Sequence, residues 1–128
     1  MTSSNRLLGY FTPRKRFSNK LPSLYLDCRH SPDDPYLLEV YFVNNSGQTL
    51  EWLEVPNSQT VPTIQYTAIK PDEAVKIDEL HIVYSSDDII QLILLWKALG
   101  EPVKEVRLFD KGITKLRYNV LEWLPDAS

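Results

Sequence analysis

The chain has 128 residues, 43% of them hydrophobic and 11% aromatic, and carries a formal net charge of −3. That is the length of one domain, with enough apolar mass for a real core. A single cysteine, Cys28, excludes an intrachain disulfide, and no run of about 18 apolar residues is present to cross a membrane as a helix.

Charge is unevenly spread. Residues 1–29 hold six Lys/Arg against one Asp, residues 30–100 hold three Lys against eleven Asp/Glu, and residues 101–128 balance. A basic segment therefore precedes an acidic body.

Residues 1–22 read as a basic N-terminal arm, poorly ordered or docked, with Tyr10, Phe11 and Phe17 placed to pin it to the domain. Leu7–Phe11 is too short for the apolar core of a secretory leader and runs into Pro13, so a cytoplasmic location is expected. Packing is expected to begin near Leu21, with one domain over 23–124 and a tail over 125–128.

Leu24–His30 alternates as a strand, with Leu24, Leu26 and Cys28 on one face and Tyr25, Asp27 and Arg29 on the other. Two prolines and two aspartates make residues 31–35 a loop. Leu37–Val55 then reads as a hairpin around Asn44-Asn45-Ser46-Gly47, placing Leu50 and Trp52 together on the core face. Thr60–Ile69 is predicted as a strand, Ala74–Asp78 as a short one, and Leu80–Tyr84 as another.

Asp87–Leu99 has two readings. Ser85 and Ser86 before it and Gly100 after it suit a helix. Only Gln91 is polar from Ile89 to Trp96, which suits a central strand better. Strand is preferred, with an α+β fold carrying one helix at 87–99 as the alternative. Val103–Phe109 and Ile113–Trp123 complete the pattern.

Short strands with frequent turn signals predict an all-β fold, an antiparallel β-sandwich of about 7–9 strands. By analogy of architecture it resembles the immunoglobulin-like class. Such a resemblance implies a fold and no activity.

Motifs for chemistry are sparse. The four glycines are far apart, so no phosphate-cradling loop or dinucleotide fingerprint is present. Cys28 and His30 share a strand face, and His81 opposite them would complete a weak three-ligand metal site. Asp33-Asp34 and Asp87-Asp88 read as solvated turns before they read as cation ligands. Arg14, Lys15, Arg16 and Lys20 beside aromatic rings are the nucleic-acid candidates, although nucleic acid is not favoured for an acidic body.

Tyr25 and Tyr41 lie opposite the inward face. With Phe11 and Phe17 they form the expected aromatic interface patch. The sequence thus predicts a non-enzymatic interaction module that binds a protein partner or itself through a sheet face or edge. Neither a cofactor nor membrane association is expected. The alternatives are nucleic-acid binding by the basic arm, and a metal-binding protein or enzyme using Cys28, His30 and His81.

Overall fold

A computed structural model describes residues 5–14, 20–56, 63–82, 89–111 and 117–125. These residues form nine antiparallel strands and no helix. They are β1 (Arg6–Leu8), β2 (Pro22–His30), β3 (Leu37–Asn44), β4 (Leu50–Val55), β5 (Ile64–Ile69), β6 (Glu73–His81), β7 (Ile89–Ala98), β8 (Lys104–Lys111) and β9 (Tyr118–Trp123). One sheet has the order β1-β6-β3-β2-β9 and the other β5-β4-β7-β8.

The two sheets form the β-sandwich that alternation predicts. Leu24, Leu26, Val40, Phe42, Val75 and Ile77 of the first sheet meet Leu50, Leu53, Val55, Leu92, Leu94 and Trp96 of the second. The rings of Phe42 and Trp96 lie 5.8 Å apart across the interior. β7 is the continuous apolar strand, paired on one edge with β4 and on the other with β8. The helix over 87–99 is therefore set aside.

Leu37–Val55 is not a hairpin. Both edges of β3 are taken, by β2 and β6, so β4 has no ladder to join there. The chain instead arches across the core, and β4 pairs with β5 and β7. Asn44 holds the corner: its buried amide donates to the carbonyls of Gln48 at 2.8 Å and Ile69 at 3.0 Å. Gly47 supplies the positive φ of 80° that the reversal needs. β6 returns beside β3 and β7 beside β4, the crossing order of immunoglobulin-like sandwiches.

Two further expectations change. Leu50 lies opposite Ala98 and Trp52 opposite Lys97, so Glu51 is bulged out of the ladder. The slip turns Trp52 to the outer face, and Leu53 takes the core position opposite Trp96. Residues 73–81 form one strand rather than two. The irregularity between Val40 and Tyr41 absorbs Ile77 as an extra residue within β6.

β1 extends the five-stranded sheet, pairing Arg6 with Val75 and Leu7 with Ala74. Strand structure thus begins upstream of Leu21, where composition alone had placed the first packed residue. The predicted strand residues 60–62, 83–84 and 113–116 lie outside the described residues, as do Asp87 and Asp88.

Candidate functional site

A sandwich has two outer faces, and here they differ. On the five-stranded sheet, Tyr25, Tyr41, Val43 and Ala74 form a second buried cluster beneath Leu7 and Phe11 of the N-terminal segment. Tyr25 and Tyr41 are both 0% exposed, so the sequence-predicted aromatic patch is covered rather than presented. Phe11 is part of the cover, its ring 5.4 Å from that of Tyr41. Phe17 lies outside the described residues.

Next to this cluster sits a buried charge network. Arg29 Nε donates to Glu39 Oε1 at 2.7 Å, Lys76 Nζ donates to Glu39 Oε2 at 3.2 Å, and Tyr41 Oη donates to Glu39 Oε1 at 3.3 Å. Lys76 also pairs with Glu79. Glu39 is 1% exposed. Burial alone would raise its pKa, but the hydrogen bonds from Arg29 and Lys76 outweigh that and hold it below the usual carboxylate range. Burial, then the charge of Glu39, pushes the Tyr41 hydroxyl up to about 12. Tyr10 and Tyr41 both lie against the Arg29 guanidinium, 5.4 Å from ring centre to charge.

The basic residues of the arm divide. Arg14 stacks on the Tyr118 ring at 4.7 Å and lies 3.8 Å from Asp27, so it is tied to its own domain. Lys20 is exposed. Lys15 and Arg16 lie outside the described residues.

The Cys28, His30 and His81 set does not converge. His30 lies opposite Leu38 and Leu38 opposite Leu80, all on the inner side of the sheet. His81 lies opposite Leu37, on the outer side, and stacks on Tyr36. Cys28 packs against the core, and burial, then the charge of Asp27, pushes its thiol from 9.0 up to about 12. At neutral pH it is a protonated, shielded thiol and a poor nucleophile. Among the described residues, no three His, Cys, Asp or Glu side chains are placed to hold a metal ion. Asp34 serves its own loop, accepting from the Tyr36 amide at 2.9 Å.

Hollows indent the surface formed by the described residues. One of about 490 Å³ lies along the seam between β5 and β6, lined by Tyr66, Lys76, Asp78 and Glu79. Its lysine is already committed to Glu39 and Glu79, and its tyrosine donates to the Lys76 carbonyl at 2.5 Å. A second, of about 270 Å³, sits at one end of the sandwich over Trp96 and Trp123. There Lys104 bridges the sheets to Glu122 at 2.6 Å. A third, about 300 Å³, lies beside Trp52 on the four-stranded sheet.

The outer face of the four-stranded sheet is the open one. Register places Trp52 and Glu54 of β4, Ile93 and Leu95 of β7, and Glu105, Arg107 and Phe109 of β8 on it. Trp52, Ile93 and Leu95 are half-buried, and Phe109 is 66% exposed. Sequence reasoning placed Trp52 on the core face and did not single the others out as a surface. The signal was present in Lys104–Phe109, where Val106 and Leu108 alternate with Glu105, Arg107 and Phe109, leaving a large ring on the polar side.

Comparison of the chain with family models, with curated proteins and with solved structures finds no match.

Proposed function

We propose that the protein is a non-catalytic interaction module that engages another polypeptide through its four-stranded sheet. One contrast supports this reading. The chain's own N-terminal segment packs against the Tyr25–Tyr41 cluster on the outer face of the five-stranded sheet. Among the described residues, the equivalent face of the other sheet leaves Phe109 exposed and Trp52, Ile93 and Leu95 half-buried. Apolar side chains that a small domain leaves together on one face mark contact surfaces more often than isolated ones do. The protonated Cys28 thiol and the mutually paired Arg29–Glu39–Lys76 group add no activated nucleophile to the surface.

Site-specific photocrosslinking tests the reading. A benzophenone side chain at Phe109 is expected to form covalent adducts with another polypeptide in cell extract. The same group at Tyr36 is the control, because that residue is 56% exposed and lies in the loop before β3 of the other sheet. It should capture little. Equal capture at both positions, or none at Phe109, rejects the four-stranded sheet as the contact surface.

A further inference from the structure

β-Sheet edges are pairing templates, and folded proteins usually block them. Three of the four edges here are blocked or broken. β1 is three residues long. At β5, Arg6 donates to the carbonyls of Thr67 at 2.7 Å and Ala68 at 3.4 Å, and Ala68 has a φ of 52° that bends the strand. β9 runs against β2 with two register shifts. β8 is different. It is eight residues long and runs beside β7 from Ile89–Lys111 to Trp96–Lys104 without a break. No proline interrupts it.

The outward-facing side chains of this edge are complementary to themselves. In an antiparallel pair of two β8 strands about a two-fold axis at Val106, Glu105 of each copy faces Arg107 of the other. The same register sets Val103, 48% exposed, opposite Phe109, 66% exposed. Val106 meets Val106 on the core side. Axes at neighbouring residues do worse. One at Glu105 opposes two glutamates, and one at Arg107 opposes two arginines. One at Leu108 sets Arg107 against Phe109. A half-residue slip places inward side chains opposite outward ones and is excluded by the pleat. In the single chain Glu105 and Arg107 already pair at 3.1 Å, both solvent-exposed, so they are free to exchange partners.

We infer that the occupant of the β8 edge is a second copy of this chain, joined so that two four-stranded sheets become one eight-stranded sheet. This rests on the reading of the four-stranded sheet as the contact surface, and it names the partner. Cross-strand pairs of opposite charge and of apolar groups set the register, and backbone hydrogen bonds between the two edges hold it. The interface is one strand pair wide, so the dimer exchanges with monomer and its mass depends on concentration.

Light scattering coupled to size-exclusion chromatography, run as a dilution series, reads the mass against 14.8 kDa for one chain. Wild type should approach twice that mass at high concentration. Glu105→Arg sets two arginines against each other and should weaken association at least about tenfold, as should Arg107→Glu. Mixing the two variants restores opposite charges at both positions and should restore the dimer, as should the double variant. Both side chains are exposed, so folding is not at stake. A wild-type monomer at every concentration overturns the inference, as does a dimer indifferent to the single reversals. A monomer that still yields adducts with a different protein at Phe109 removes the dimer and leaves the contact reading standing. Absence of both removes both.

Discussion

Both outer faces of this sandwich carry aromatic side chains, yet the chain treats them differently. On the five-stranded sheet it lays its own N-terminus over Tyr25 and Tyr41 and buries Glu39 between two cations. On the four-stranded sheet Trp52 and Phe109 stay at the surface. Aromatic side chains become structure where they are covered and remain at the surface where they are not. Stability should therefore be concentrated on the covered face, and sensitivity to association on the open one.

The largest expected effect is on the covered side. Arg29→Met leaves Glu39 buried with one fewer counter-charge and should cost about 3–5 kcal/mol in urea denaturation. Phe11→Ala thins the cover and should cost about 2 kcal/mol, less than a fully buried phenylalanine because the ring is only partly enclosed. A loss under about 0.5 kcal/mol would mean that the segment does not hold the face.

pH acts on the same groups. Glu39 is held below its ordinary value of 4.5, so its contribution is present above that pH and is lost as pH falls through the folded-state value. Cys28 and Tyr41 are raised. Their contributions are intact below 9.0 and 10.0, and are lost as pH climbs towards about 12. The midpoint of urea unfolding should thus fall on both sides of neutrality, and a profile flat from pH 8 to about 12 would contradict the buried placement of these groups.

The smallest effects separate the faces most sharply. Trp52→Ala should cost only about 1 kcal/mol, against about 3–5 kcal/mol for Trp96→Ala in the core. Tyr25→Phe removes a buried hydroxyl with no hydrogen-bond partner among the described residues. It should be neutral or stabilising by up to about 1 kcal/mol, measured the same way.

Much of the fold was legible. Alternation placed both faces of β2 correctly, and the nearly unbroken apolar run of β7 marked a central strand. The arch was not legible, because an Asn-rich turn between two alternating arms looks the same whether the arms pair or part. What decides is that β2 and β6 occupy both edges of β3, a fact spread over residues 22–81. Trp52 was misplaced by one bulged residue, Glu51, which no local signal marks. The covered patch was misread for a different reason. Tyr25 and Tyr41 do point away from the core, but the segment that covers them has no periodic pattern to announce it. The open face could have been found from Phe109, a ring in the polar half of an alternating strand.

Hydroxyl-radical footprinting read by mass spectrometry tests the division between the faces most directly. On dilute, native full-length protein, Phe109 and Trp52 should be oxidised readily, while Tyr25 and Tyr41 stay protected. Labelling of Tyr25 and Tyr41 as fast as Phe109 would show that the N-terminal segment leaves its face open, and would contradict the account.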